Sequence, residues 1–170
     1  MSDPAKPAVL VNAYTDPVLV RIEGRASFLN AGALRDFFAE LERTGKSRCA
    51  VDFAACASMA STFLGILAGA ALALRRRDPA GGLTLLRLGP RNLELVRNLG
   101  LHRLATVDTG AEKLAFDGIK AVPLTEERKS ELERARLVLE AHENLVAADA
   151  ANAPKFQDVL AFLRARVDGR

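Results

Sequence analysis

The chain has 170 residues, of which 49% are hydrophobic and 26% charged, and this is the composition of a folded globular protein. Its 24 basic side chains barely outnumber its 21 acidic ones, and no Trp and only one Tyr occur, which argues against nucleic-acid binding. The two cysteines are too few for a disulfide scaffold and are typical of a reducing compartment. The longest uncharged apolar run, residues 63–74, is shorter than a membrane span of about 20 residues, and no signal-peptide pattern begins the chain. We therefore expect a cytoplasmic protein without membrane insertion.

Strand and helix patterns alternate over about residues 8–108. Two strand-like segments flank the turn signal Asp16-Pro17 and predict an antiparallel hairpin. Three predicted helices come after the hairpin, and each of them is followed by a strand. Asn30 is expected to cap the first helix. The predicted strands are Val9–Ala13, Val18–Glu23, Cys49–Phe53, Leu83–Leu88 and Leu104–Val107, and the helices are Ala31–Thr44, Ser61–Arg77 and Pro90–Leu99. This order predicts an α/β fold with a mostly parallel sheet of about five strands and interleaved helices.

The pattern changes from about residue 109. Residues 109–124 are interpreted as a linker, and residues 125–170 as two helices joined by a short connection, an αα-hairpin. The first helix is expected to begin near Thr125 and to carry His142 on its apolar stripe, and Asn152 is expected to cap the second. We therefore divide the chain into a domain of residues 1–108, the linker, and a C-terminal helical hairpin that packs on the domain or on a partner.

Catalytic and metal chemistry find no support in the residue spacing. His102 and His142 are far apart and have no metal-ligating neighbours at usable distances along the chain. Cys49 and Cys56 do not form a Cys-x-x-Cys pair and are expected to be small core residues. No glycine-rich phosphate loop occurs, and three arginines at residues 75–77 end a predicted helix, where cations complement the helix dipole. The sequence thus predicts no enzyme, no metal and no cofactor.

The most informative segment is residues 56–67. The third strand is expected to end at about Phe53, a short loop follows, and Ser61 or Thr62 begins the second helix. Open parallel sheets bind ligands beyond the carboxyl ends of their strands, and this loop lies there. A phosphate on Ser61 would face the free N–H groups of the helix start, although a serine that only caps the helix explains the residue as well.

The second predicted helix is apolar on all faces from Phe63 to Leu74 and contains Gly65 and Gly69. One face can pack on the sheet, but the other needs a cover, because a helix that is apolar all round belongs in an interior. The sequence leaves two covers open. One is the chain's own C-terminal hairpin, and the other is a partner or a second copy of the chain in a homodimer.

The segment Met59-Ala60-Ser61-Thr62-Phe63-Leu64-Gly65 resembles the Asp-Ser-(Ser or Thr)-x-(Leu or Phe)-Gly signature of the STAS family. This family includes anti-sigma factor antagonists and the tails of sulphate transporters, and its element order is the one predicted for residues 8–108. Residues 24–30 occupy the loop that flanks the signature site in the family. The C-terminal segments Ala141-His142-Glu143 and Lys155-Phe156 are similar to the tail of a subset of bacterial antagonists.

The resemblance implies an anti-sigma factor antagonist that acts by phosphorylation-controlled partner switching in bacterial transcription or stress signalling. In the family, a kinase-type anti-sigma factor phosphorylates the serine that corresponds to Ser61, and a PP2C-type phosphatase removes the phosphate. Thr62 is a second candidate acceptor. The partner-binding residues that the resemblance implies are Ser27, Phe28, Asn30, Met59, Ala60, Phe63 and Leu64.

Ala60 departs from the family pattern, which has Asp immediately before the phosphorylated serine. The departure removes a carboxylate that could contact a partner, and it also removes a negative charge that would repel a phosphate. It therefore keeps open an alternative function, a non-phosphorylated STAS scaffold. Such a scaffold would be a subunit of a larger transport or signalling complex, for example the small STAS component of a lipid-transport complex.

Overall fold

The computed structural model describes residues 7–77, 81–108, 121–125 and 128–169. The strands are β1 (Ala8–Asn12), β2 (Val18–Ala26), β3 (Arg48–Met59), β4 (Gly82–Leu86), β5 (Thr106–Asp108) and β6 (Val122–Pro123). The helices are α1 (Phe28–Arg43), α2 (Ser61–Arg77), α3 (Pro90–Asn98), α4 (Glu131–Ala148) and α5 (Gln157–Val167), with short 3-10 helices at Leu101–Arg103 and Ala150–Asn152.

The six strands form one mixed sheet in the order β5-β4-β3-β2-β1-β6. The four strands β2 to β5 pair in parallel, and β1 pairs antiparallel with both β2 and β6. The predicted α/β class and its mostly parallel sheet are therefore confirmed. The sixth strand, β6, lies inside the predicted linker, of which residues 109–120 are outside the described part of the chain.

The strand β3 is longer than predicted, and the expected end at Phe53 is wrong. Its first half is buried and pairs with β4 as far as Asp52, whereas residues 54–58 are largely exposed and pair with β2 alone. Two register shifts interrupt that pairing. Because small residues at an irregular sheet edge show neither apolar alternation nor high strand propensity, this extension has no clear sequence signal.

The helix α1 begins three residues earlier than predicted. Its N-cap is Ser27, whose side chain accepts a hydrogen bond from the Leu29 N–H (3.2 Å). Asn30, the predicted cap, instead accepts from the Ser27 N–H through its side-chain oxygen (2.9 Å). The two residues therefore form a reciprocal capping box, in which each satisfies a backbone donor that the helix itself leaves free.

The two C-terminal helices, in contrast to α1, begin later than predicted. The helix α4 starts at Glu131 behind the N-cap Ser130, and α5 starts at Gln157. Asn152 does not cap α5, because its amide is buried and donates to the carbonyls of Leu99 (2.9 Å) and Leu145 (2.7 Å). Its tertiary contacts take the place of the predicted local one.

The helix α2 lies in the interior, between the sheet and α4. Phe63, Leu64 and Leu67 are fully buried, and α4 contributes Ala141 and Leu145 to the same core. The two helices approach most closely at Gly65, where a side chain would collide with the α4 backbone. Among the described helices, none combines the length and the apolar composition of a membrane span.

Candidate functional site

The first turn of α2 lies beside the first turn of α1 at the carboxyl ends of two parallel strands. Ala26, the last residue of β2, pairs with Met59, the last residue of β3. The Ala60 N–H then donates to the Ala26 carbonyl (2.8 Å), so the chain leaves both strands at the same level of the sheet. Ser27 and Ser61, the residues that open the two helices, are therefore brought to one rim, as expected for an open parallel sheet.

The Ser61 hydroxyl has a direct partner in the C-terminal helices. Its Oγ lies 3.0 Å from Nε2 of His142, a residue 81 positions further along the chain. The imidazole is almost completely buried, with 4% of its surface exposed, and its ring packs edge-on against Phe156. Ser61 itself is half-buried, so its hydroxyl is at the boundary between the core and the rim.

The second ring nitrogen of His142 defines the direction of this hydrogen bond. Nδ1 lies 2.7 Å from the Val138 carbonyl oxygen, which can only accept, so Nδ1 carries a proton. In the neutral ring, Nε2 is then an acceptor, and the Ser61 hydroxyl donates its proton to it. The arrangement is a hydroxyl, a base and a group that orients the base, all within hydrogen-bond distance.

An open cleft of about 400 Å³ begins at Ser61. Its lining is mostly apolar, with a few polar groups, and consists of Met59, Ser61, Leu64, Leu95, Asn98, Leu99, Lys155 and Phe156. Lys155 is anchored at this cleft, because its ammonium group donates to the Asn98 carbonyl (2.8 Å) and to the Asn152 side-chain oxygen (3.3 Å). The cleft therefore joins the start of α2 to the segment that precedes α5.

The predicted partner-binding residues fall into two groups. On the rim, Phe28 (44% exposed) and Ala60 face solvent, and Ser27 is half-buried. Asn30, Met59, Phe63 and Leu64 are buried, because they cap α1 or fill the core under the rim, so in this structure they shape the surface from below. Thr62, the second candidate acceptor, is buried as well.

Sequence reasoning missed three residues of this site. Leu29, with 63% of its side chain exposed, lies next to Phe28 and gives the rim an apolar pair. His142 was expected on an apolar helical stripe, but no local spacing could place it opposite Ser61. Lys155 was noted only in the Lys155-Phe156 segment that resembles the tail of some bacterial antagonists, and nothing in that resemblance placed it near Ser61.

The other candidate chemical groups lie apart from Ser61 or are inert. Burial strongly raises the pKa of the Cys49 thiol, and burial also raises the pKa of Cys56, whose Sγ contacts the Ser58 carbonyl (3.4 Å). Both thiols are therefore protonated at neutral pH and are poor nucleophiles. Within the described ranges, no group of three or more His, Cys, Asp and Glu side chains could hold a metal ion.

Fold and site together define the class of protein. The family model described as "Mlab, STAS domain" matches residues 9–107, which is more than half of the chain. The chain therefore belongs to the STAS domain family, and the resemblance noted from the signature segment is confirmed.

Solved structures show the same fold at low sequence identity. The chain is similar to an anti-sigma factor antagonist from Mycobacterium paratuberculosis, with a TM-score of 0.53 and 20% identity over 65% of this chain and 92% of that one. It is also similar to the phosphorylated form of the Bacillus cell fate determinant SpoIIAA, with a TM-score of 0.50 and 20% identity over 61% and 93% of the two chains. None of the curated proteins matches this sequence.

Proposed function

We propose that this protein is an anti-sigma factor antagonist that switches partners when Ser61 is phosphorylated. In this proposal, residues 1–108 form the switching domain, and residues 125–170 form a helical hairpin that covers α2. The observation that carries the proposal is the position of the Ser61 hydroxyl: it is half-buried at a rim that also presents Phe28 and Leu29 to solvent. A fold shared with two antagonist structures supports it.

The rim explains how one phosphate would control docking. A protein partner would bury Phe28 and Leu29, and aromatic and aliphatic anchors of this kind supply much of the affinity of an interface. A phosphate on Ser61 would add about 1.5 to 2 negative charges at the edge of the same surface. A partner shaped for a hydroxyl has neither the space nor the donors for a phosphate and would have to desolvate it, so binding would be lost without any refolding.

The partners in this proposal are a kinase-type anti-sigma factor, which binds and phosphorylates Ser61, and a PP2C-type phosphatase. The kinase requires ATP, which places the switch in the cytoplasm. Ala60 is exposed immediately beside the acceptor, so the family's aspartate is replaced here at a position that a kinase would contact directly.

Incubation with the cognate anti-sigma kinase and ATP is expected to add one phosphate, located at Ser61 by intact-mass and fragment mass spectrometry. Ser61→Ala is expected to abolish the modification. Thr62→Val is expected to leave it unchanged, because the Thr62 hydroxyl is buried and inaccessible to a kinase. A phosphate that persists in the Ser61→Ala variant would contradict the assignment.

Leu29→Asp is expected to weaken binding of the unphosphorylated protein to the anti-sigma factor at least tenfold, equivalent to about 1.4 kcal/mol, measured by isothermal titration calorimetry. The substitution places an unpaired charge in the proposed interface while leaving the buried core intact. Tyr14→Asp is the matched control, because Tyr14 is 97% exposed in the turn at the opposite end of β2. Equal affinities of the Leu29 variant and the wild type would show that the partner docks elsewhere.

A second candidate function is a STAS subunit of a larger assembly that is not phosphorylated, such as a lipid-transport complex. Two observations favour it. The matching family model carries the description "Mlab, STAS domain", and the Ser61 hydroxyl is already hydrogen-bonded to His142. In that case, affinity purification of the tagged protein would recover transporter components, and Ser61→Ala would leave their binding unchanged. Recovery of an anti-sigma kinase whose binding is lost in a Ser61→Asp variant would favour partner switching instead.

A further inference from the structure

The C-terminal segment places an imidazole at the Ser61 hydroxyl and an ammonium group at the cleft beside it. His142 Nε2 accepts the hydroxyl proton at 3.0 Å, and the Lys155 ammonium lines the cleft into which Ser61 opens. Lys155 donates two of its three N–H groups to the Asn98 carbonyl and the Asn152 side chain. These bonds fix the position of the ammonium group and leave its third N–H for a ligand. Both groups come from outside residues 9–107, the part of the chain that the family model matches.

We infer that the C-terminal helices form an internal receptor for a phosphate monoester on Ser61, in which His142 takes the serine proton and His142 and Lys155 hold the phosphate in the cleft. The inference rests on the proposed function, because it requires that Ser61 is phosphorylated. It adds a role for residues 125–170 that goes beyond covering α2, because these residues would bind the phosphorylated Ser61 side chain of the same chain.

The phosphorylation step balances with groups that are present and with ATP as the phosphoryl donor. The Ser61 Oγ bonds to the γ-phosphorus of ATP, the bond from that phosphorus to the β-bridging oxygen breaks, and ADP leaves. The hydroxyl proton passes along the existing hydrogen bond to His142 Nε2. The ring becomes an imidazolium that keeps its Nδ1–H bond to the Val138 carbonyl, so the new positive charge forms beside the new negative one.

The geometry also directs where the phosphate goes. A separation of 3.0 Å between Oγ and Nε2 is already a hydrogen-bond contact and has no room for a phosphorus atom with its oxygens. The cleft beside Ser61 has that room, since its volume of about 400 Å³ is in the range of small-molecule sites. Rotation of the Ser61 side chain toward the cleft would bring the phosphate into the space that Lys155 also lines, while His142 stays beside Ser61.

Two acidic side chains close to His142 and Lys155 in sequence form ion pairs of their own. Glu143, next to His142 on α4, pairs with Arg164 on α5 (3.8 Å), and Asp149 at the end of α4 pairs with Arg103 (3.3 Å). These two carboxylates are therefore paired with arginines, whereas Asp158, in the first turn of α5, is the carboxylate nearest to Lys155 in sequence.

The test uses the full chain with phosphoserine installed at position 61 during translation, so it does not depend on any kinase. Phosphorus-31 NMR over a pH series is expected to show that the second phosphate pKa is lower by about one unit or more than in the urea-unfolded chain, where it is about 6. In nitrogen-15 spectra at pH 7, the His142 ring is expected to change from singly to doubly protonated when Ser61 is replaced by phosphoserine.

Two variants and a control separate the receptor from a general charge effect. K155M and H142Q are each expected to bring the phosphate pKa back toward its unfolded value. K46M is expected to have no effect, because Lys46 follows Gly45 beside the far end of α2, where Gly45 approaches Arg77. Lys155 is exposed, so K155M does not risk the fold.

The inference would be overturned by a phosphate pKa equal to that of the unfolded chain, by equal effects of K155M and K46M, or by a His142 ring that stays singly protonated. Failure of the proposed function looks different. In that case, the kinase would add no phosphate to the wild-type protein, while the installed phosphoserine would still show the lowered pKa.

Discussion

Gly65→Ala is expected to displace α4 from α2 and to lower the free energy of unfolding by about 2 kcal/mol or more. An alanine Cβ at this position would lie 2.5 Å from the carbonyl carbon and 2.7 Å from the Cα of Ala141, and closer still to its carbonyl oxygen. These are backbone atoms of a packed helix, so no side-chain rotation can relieve the collision. The Asn144 side chain, which donates to the Gly65 carbonyl (3.1 Å), would lose its alignment as well.

The sign of this effect makes the prediction specific. In an exposed helix interior, the same substitution stabilises by about 1 kcal/mol, because alanine is the better helix former. Urea unfolding gives the free energy, and amide hydrogen exchange over residues 131–148 reports whether α4 has separated from α2. A Gly65→Ala protein that is as stable and as protected from exchange as the wild type would contradict the packing described above.

Two other glycines provide a graded control. At Gly69, an added Cβ would meet the side chain of Asn144 and not a backbone, so Gly69→Ala is expected to cost less than Gly65→Ala. Gly89 has nothing within 4 Å of the position of a Cβ, and Gly89→Ala is expected to change stability by less than about 1 kcal/mol. The order of the Gly65 and Gly69 effects follows from the distance and rigidity of the opposing atoms, whereas any effect at Gly89 comes from its position as the N-cap of α3.

Asn152→Asp is expected to lower the free energy of unfolding by about 3 kcal/mol, the second large effect. Asn152 is completely buried, and its amide supplies donors to the Leu99 carbonyl at the end of α3 and the Leu145 carbonyl on α4. Aspartate has the same shape but offers no donor when ionised, so both carbonyls lose the amide N–H and face a negative charge. The Leu145 carbonyl keeps only its bond from the Asp149 N–H (3.1 Å). Thermal and urea unfolding measure the loss.

The matched control is Asn98→Asp, which makes the same chemical change on an exposed side chain of α3. It is expected to alter stability by no more than about 0.5 kcal/mol. Equal losses in the two variants would mean that Asn152 does not join α3 to α4. Because the Asn152 side-chain oxygen also accepts from Lys155, the Asn152 variant is expected to disturb the position of that ammonium group in the cleft.

Both predictions concern the attachment of the C-terminal helices, and this attachment determines the environment of Ser61. With α4 in place, the hydroxyl is hydrogen-bonded to His142 and only half-accessible. With α4 displaced, the same hydroxyl would be a free group at a helix start. The stability of the contact between α2 and α4 therefore contributes to how readily a kinase or a docking partner reaches the acceptor.

Much of the STAS core could be read from local patterns. The helix α2 was predicted to span Ser61–Arg77, and it does, because an uninterrupted apolar run behind a serine is an unambiguous helix signal. The strand β3 was predicted too short, because its exposed second half consists of small residues whose pairing partner is set by the β2 register. The cap of α1 was misplaced by three residues because Ser27 and Asn30 are both good capping residues and only their mutual hydrogen bonds distinguish them.

Local sequence determined the alternation of strands and helices, the place of Ser61 at the start of α2, and the need of that apolar helix for a second cover. Those features depend on residue spacing within one element, which apolar periodicity and capping chemistry encode directly. Only the tertiary structure decided that α4 lies on α2 and that His142 meets the Ser61 hydroxyl from 81 residues away. The reason is physical, because contacts between distant segments depend on how whole helix faces fit together. Neither the residues around Gly65 nor those around His142 in the sequence indicate that Gly65 lies against Ala141 or that His142 lies against Ser61.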